Sequence, residues 1–368
     1  MKTYPLESIS LNEAKAFQFR MVDIVTKYFR GSEILSLGDL GVVKGLNRPH
    51  FTAQAECAIA EFFGAEKAVF LRGAGTGALR WGLISFMSCQ EAILVHDAPI
   101  YPTTEVTIHT MGLEVIRANF NDQEALKKVL AENKHIKGAL IQYTRQKIDD
   151  AYQMDEVIAT IKTANPHIHI ITDDNYAVMK VPQIGCQQGA DLSAFSSFKL
   201  LGPEGVGVLV GRQALIDKVI KLNYSGGSQV QGFEAMEALR GLVYAPVSLA
   251  LQAEVNEMLV SRLAQGEVPG VKDAFLANAQ SKVLLVELED PIAEKVLIAA
   301  ESLGAAPNPV GAESKYEFVP MFYKVSGTFR AADPSLEARM IRINPMRSGS
   351  DTVLRILRES IAIAQKEA

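Results

Sequence analysis

Seven short apolar runs recur between Lys67 and Gly211: KAVFL, AILVHD, LEVIRANF, KGALIQYT, HIHIITDD, DLSAFSSF and GVGVLVG. Most are bounded by Gly, Pro, Asn or Asp, and most are separated by segments long enough for a crossover helix. Continuous apolar runs of this kind suit strands buried on both faces. Alternating with helices, they specify an α/β chain with a mainly parallel, seven-stranded, doubly wound sheet. The last run follows LLGPE too closely for a crossover, which predicts an antiparallel strand there.

Outside that block the pattern differs. LNEAKAFQFRMVDIVTKYF has helical spacing and stops near Gly31, and TAQAECAIAEFFG reads as a helix with Thr52 as its N-cap. PVSLALQAEVNEMLVSRLA predicts a long helix leaving the sheet. Past Pro269, SKVLLVEL and ARMIRINP read as strands, and IAEKVLIAAESLG and SDTVLRILRESIAIAQ as helices, giving a smaller α+β C-terminal domain. The expected division is an N-terminal helical arm over 1–45, a large domain over 46–250 and a small domain over 251–368, with a linking helix at 250–265. A chain of 368 residues is also long for a single core.

The net charge of −5 comes with scattered Lys and Arg, which argues against nucleic acid as a partner. Cys57, Cys89 and Cys186 form no CxxC pair and no zinc spacing, so no metal site is expected, and their low count suits a reducing compartment. No stretch approaches the length of a membrane span, and the N-terminus lacks an apolar leader core. A cytoplasmic protein with a small-molecule substrate is expected.

Two stretches carry chemistry. FLRGAGTGALRWGL, from Phe70 to Leu83, places glycines between an apolar run and a helix start, where free N–H groups suit an anion. Gly73, Gly75 and Ala78 fit a dinucleotide fingerprint, with Asp97 roughly where its ribose-binding acid belongs, but a lone phosphate monoester fits the same turn. In DLSAFSSFKLLGPEGVGVLVG, Lys199 is flanked by Phe198 and Leu200 at the end of an apolar run, with Ser196 three residues earlier. Desolvation of that kind suits a Schiff-base lysine, although a lysine snorkelling at a strand end reads the same way. HIHIITDDNYAVM ends a buried run in Asp173 and Asp174, where an acid at the carboxyl end of a parallel strand points into a ligand crevice.

Taken together, these residues resemble the fold-type I pyridoxal-phosphate enzymes, the aspartate aminotransferase superfamily, over nearly the whole chain. SSFKLLGPEGVGVL is similar to the class V aminotransferases and cysteine desulfurases, and HDAPIYPTT, LIQYTRQ and TDDNYA to the cystathionine and methionine γ-lyase branch. The resemblance implies pyridoxal 5'-phosphate as cofactor, with Lys199 as its Schiff-base lysine. It implies Asp173, ahead of Asp174, as the acid paired with the pyridine nitrogen. Gly75, Thr76, Gly77 and Ser196 become phosphate contacts, Tyr101 the aromatic residue stacked on the ring, and Gln142 a contact to the ring hydroxyl. Arg342, with Arg347 as rival, becomes the clamp on a substrate carboxylate. It favours the monoester, and Asp97 becomes a turn residue.

The resemblance also implies a homodimer with shared sites, Ser228 in NYSGGSQVQGFEA reaching the partner's cofactor. Two departures stand out: Gly207 occupies the place where many relatives clamp the phosphate with arginine, and Phe198 replaces a histidine frequent before the lysine. No cysteine follows Cys186, which disfavours desulfurase chemistry. An aminotransferase acting on an amino acid is the first expectation. The alternatives are a β- or γ-eliminating lyase and, from another class, a non-catalytic ligand-sensing relative.

Overall fold

The computed structural model describes residues 2–366 except 145, 146, 148, 280 and 310–312. The chain divides into two compact units, one of Asn12–Thr144 and Ala151–Pro246, the other of Met1–Leu11, Arg145–Asp150 and Val247–Ala368.

The larger unit begins with helices α1 (Leu11–Tyr28), α2 (Gly31–Ile34) and α3 (His50–Phe63). Then follow β1 (Lys67–Arg72), α4 (Ala74–Phe86), β2 (Ala92–His96), α5 (Pro102–Thr110), β3 (Glu114–Ala118) and α6 (Gln123–Glu132). It continues with β4 (Ile136–Gln142), α7 (Met154–Ala164), β5 (His169–Asp173), β6 (Leu192–Ser196), β7 (Val206–Gly211), α8 (Gln213–Leu222) and the first part of α9 (Gly232–Ala264). The seven strands form one sheet in the order β1-β7-β6-β5-β4-β2-β3. β7 runs antiparallel to both β1 and β6, as its short connection requires, and the inner pairs are parallel.

Both faces of the sheet are covered. Leu71, Ile93, Leu140, Ile171, Leu192 and Leu209 pack with Leu79 and Leu83 of α4 and Ile216 and Val219 of α8. On the opposite face Phe195 meets Phe63 of α3 with ring centroids 5.7 Å apart. Burying each such side chain contributes about 1.5–3 kcal/mol. Gly82 lets α4 lie directly on the sheet, since a Cβ there would come 2.3 Å from Ile171 Cδ1.

Two expected helix starts are corrected. Thr52 is not the N-cap of α3: the helix starts after Pro49, and the Asp39 carboxylate accepts from the N–H groups of His50 (2.7 Å) and Phe51 (3.1 Å). A residue remote in sequence satisfies the open first turn, which frees Thr52 Oγ1 to donate to Val230 O at 2.9 Å. The long helix α9 begins at Gly232, and Pro246 lies inside it. Proline reads locally as a helix start, but burial of Ala235, Leu239, Leu242 and Ala245 carries the helix through it.

The smaller unit holds the rest of α9, β8 (Val271–Ala279), β9 (Ser281–Leu288), α10 (Ala293–Ser302), β10 (Met321–Lys324), α11 (Gly327–Ala332), α12 (Leu336–Arg339), β11 (Met340–Asn344) and α13 (Ser350–Lys366). Its antiparallel sheet has the order β10-β11-β9-β8. Leu284, Val286, Ile341 and Ile343 pack under Leu259, Val296, Leu357 and Ile361. Sequence patterning missed β8, whose alternation Lys272 and Asp273 interrupt, and β10, which is only 4 residues long. Among the described residues no helix is long and apolar enough to cross a membrane.

Candidate active site

The glycine turn between β1 and α4 is built on backbone contacts. Gly73 (φ 96°) and Ala74 (φ 54°) are both left-handed, and their N–H groups donate to Gly205 O at 2.9 and 3.1 Å. Gly77 closes the first helical hydrogen bond to Gly73 O at 2.8 Å. The first-turn N–H groups of Gly75 and Thr76 precede that bond, so they are the donors α4 offers outward. Thr76 Oγ1 shares a hydrogen bond with Thr103 Oγ1 at 2.9 Å, which ties the start of α5 to the turn. A Cβ on Gly77 would sit 2.0 Å from Arg72 O. One on Gly207 would sit 2.1 Å from Ala74 O, so no arginine fits at that position.

β5 ends beside this turn. Its last residue, Asp173, is buried, and burial pushes its carboxyl above the usual range while Asn175 and the Lys199 charge pull it back. Asn175 donates to Asp173 Oδ1 from its backbone (3.1 Å) and from Nδ2 (2.8 Å), and its Oδ1 accepts from Ser196 N at 3.0 Å. Asp174 sits on the other side of the chain. It is wholly buried, accepts from Thr172 Oγ1 at 2.7 Å, and is pushed up to about 7 by desolvation.

Lys199 lies in the tight turn Ser197–Leu200 that follows β6. Ser197 Oγ donates to Val206 O and Pro203 O, and Leu201 is left-handed (φ 62°), so the turn is stiff. Lys199 Nζ stands 3.7 Å from the centroid of the Tyr176 ring, and Tyr176 itself is left-handed (φ 65°). The structure thus gathers Gly75, Asp173, Ser196 and Lys199 around Asn175 and Tyr176. Sequence reasoning gave neither of those two residues a role. Their signal was DDNY, an amide and an aromatic directly after a strand-end acid.

The other expected site residues are placed as follows. Gln142 ends β4 in register with Asp173; its Nε2 donates to Thr144 Oγ1 at 3.4 Å, and its carbonyl accepts from Tyr152 at 2.5 Å. Tyr101 is the residue before α5, 40% exposed, its carbonyl capping Thr104 and Glu105. Ser228 lies in the turn Gly226–Ser228 and donates from its N–H to Ser225 O at 2.9 Å. In the smaller unit, Arg342 Nε donates to Lys324 O at 2.7 Å, and its guanidinium lies 4.1 Å from the Tyr323 ring centroid. Arg347 Nη1 donates to Gln252 Oε1 at 3.1 Å, and burial lowers its pKa against the opposing pull of Glu313 and Glu317.

The class V aminotransferase family model matches residues 49–238, just over half of the chain, which includes the glycine turn, Asp173 and Lys199. The chain belongs to the class V aminotransferase family of fold-type I pyridoxal-phosphate enzymes. Residues 257–357 of this family member match the YhfS-like C-terminal domain. It is 54% identical to the uncharacterized protein YhfS of Escherichia coli K12, over 98% of this chain and 99% of that one. The crystal structure of YhfS, a pyridoxal-5'-phosphate-dependent protein, superposes with a TM-score of 0.96 over the same shares. A methionine γ-lyase from Micromonospora echinospora shares the fold at 17% identity, with TM-score 0.73 over 94% of this chain and 98% of that one. So does a putative cystathionine β-lyase from Listeria monocytogenes, at 16% identity and TM-score 0.73, over 96% and 95%.

The residues present fit this cofactor. The glycine turn offers N–H groups to a phosphate monoester, the buried Asp173 carboxyl suits a protonated pyridine nitrogen, and a lysine amine stands on a stiff turn close enough for its charge to act on that carboxyl.

Proposed function

We propose that the protein is a pyridoxal-phosphate-dependent aminotransferase acting on an amino-acid-like substrate. One observation carries the reading: the Lys199 amine is held on the Tyr176 ring, close enough to the buried Asp173 for its charge to act on that carboxyl. When bound, the cofactor draws the electron pair left at the substrate's α-carbon into its ring. Lys199 would hold the cofactor's aldehyde carbon through Nζ, and its amine would carry the proton at the substrate's α-carbon. Asp173 holds a positive ring nitrogen. A buried carboxylate and cation stabilise each other, and losing one partner of such a pair costs about 3–5 kcal/mol.

Gly75 and Thr76 hold the phosphate through their N–H groups, joined by the Ser196 hydroxyl. Gln142 would contact the ring hydroxyl, and Tyr101, the residue before α5, would stack on the ring. Arg342 takes the substrate carboxylate: the Tyr323 ring and the Nε bond to Lys324 O orient a planar guanidinium whose fork matches a carboxylate. Arg347 is instead engaged by Gln252, between two buried glutamates.

A second reading is β- or γ-elimination, favoured by the Thr76–Thr103 link that places the Tyr101 segment against the glycine turn. Borohydride reduction of the reconstituted protein with peptide mapping tests the shared part, with Lys199 as the labelled residue. A single turnover then separates the reactions: transamination leaves the amine form of the cofactor and a keto acid, whereas elimination releases ammonia and returns the aldehyde.

The working unit is a homodimer in this reading, with Ser228 facing the partner's cofactor. Leu35, Leu37 and Leu40 are 88, 80 and 74% exposed in one segment, a cost in water that a second copy removes. Sedimentation of the wild type and of Leu37→Glu tests it: a dimer for the first and a monomer for the second.

A further inference from the structure

We propose that Asn175 is a positioning residue: its carboxamide sets the orientation of Asp173 and ties that acid to the segment bearing Lys199. The inference rests on the reading of Asp173 as the acid facing the cofactor's ring nitrogen.

Every polar group of Asn175 that meets the site has a defined task. Its backbone N–H and Nδ2 both donate to the same oxygen, Asp173 Oδ1, at 3.1 and 2.8 Å. Two donors on one oxygen fix the carboxylate plane and turn Oδ2 toward other partners. The amide oxygen accepts from Ser196 N at 3.0 Å, three residues before Lys199. The polarity of the amide is thereby set, because a backbone N–H needs an acceptor and a carboxylate needs a donor.

Gly75 completes the arrangement. A Cβ there would lie 2.5 Å from Asn175 Nδ2 and 2.6 Å from its Oδ1, so the glycine of the phosphate turn also makes the room the amide occupies. One side chain therefore links the acid, the lysine-bearing segment and the glycine turn. The two donated hydrogen bonds favour the charged carboxylate and oppose its desolvation.

The test uses the protein reconstituted with pyridoxal 5'-phosphate. It measures cofactor affinity by equilibrium dialysis and the midpoint of the visible band on pH titration, with melting of the unloaded protein as a folding control. Asn175→Ala is expected to weaken cofactor retention ~10–100-fold, the range for charge-assisted hydrogen bonds, and to move the midpoint by about one pH unit. Asn175→Asp keeps an acceptor for Ser196 N but sets a second carboxylate against Asp173. It is expected to act at least as strongly, and it serves where the alanine variant fails to fold. In an Asp173→Asn background, adding Asn175→Ala is expected to leave the midpoint unmoved. Wild-type affinity and midpoint in Asn175→Asp, or an undiminished shift in the Asp173→Asn background, overturns the inference. A wild-type protein that gives no visible band with the cofactor overturns the functional reading first, and this inference with it.

Discussion

The amine of Lys199 sits 3.7 Å from the ring centroid of Tyr176, on a residue whose backbone is left-handed. A non-glycine residue in that region is costly, of order 1 kcal/mol, and survives where its surroundings over-determine it. Here the result is an aromatic face that fixes where the amine stands. Tyr176→Phe keeps the face and is expected to capture the cofactor at the wild-type rate. Tyr176→Leu removes a contact worth about 0.5–2 kcal/mol and is expected to slow capture ~2–30-fold, followed as growth of the visible band in stopped flow.

Replacing Lys199 by alanine removes both the covalent tether and the proton carrier. Turnover is expected to fall by at least ~10²–10⁴, the range for a lost general acid–base, with no borohydride-stable label on the chain. Amino-acid turnover together with mass spectrometry of the reduced protein checks both outcomes.

Asp174 gives a pH signature independent of catalysis. Its carboxyl is pushed up to about 7 in the folded protein, against 3.8 for the ordinary group, so the native state binds its proton more tightly than the unfolded one. The stability this contributes is fully present below about pH 4 and is lost as pH rises through about 7. Asp174→Asn has no charge to desolvate. It is expected to melt higher than wild type at pH 8, by a few kcal/mol at most, and to lose that advantage at pH 4. Thermal melts of the unloaded protein at the two pH values decide it, and equal differences at both would refute the reading.

The two arginines of the smaller unit separate by kinetics. Arg342→Gln is expected to raise KM ~10–150-fold through loss of about 1.5–3 kcal/mol in charge-assisted hydrogen bonds, with little change in melting. Arg347→Gln removes the positive charge that acts on the buried Glu313 and Glu317. It is expected to lower the melting temperature, with KM close to wild type.

At Gly207 the constraint is steric. Gly207→Ala places a Cβ 2.1 Å from Ala74 O, a backbone atom that a side-chain rotation cannot move away. A loss of roughly 1–3 kcal/mol is expected in denaturant unfolding, together with weaker cofactor retention, because the strained atom belongs to the glycine turn proposed to hold the phosphate.

The order of strands and helices was legible along the chain because a buried parallel sheet needs continuous apolar runs separated by crossovers, and both are local properties. So was the antiparallel β7, since LLGPE cannot span a crossover. Lys199, Asp173 and the glycine turn could be named because each combines a residue type with a strand end. What lay beyond local pattern came from contacts distant in sequence. Asp39, not Thr52, caps α3, and core burial carries α9 through Pro246. Gly75 must be glycine because an amide one hundred residues later fills the space its side chain would take. The resemblance put Asp173 ahead of Asp174, but only the tertiary structure shows how these adjacent identical side chains differ: the strand turns them to opposite sides, one toward the Lys199 charge and the other into the hydroxyls of Thr172 and Ser193. Composition and spacing are the same for both; what differs is the direction in which the folded backbone points them.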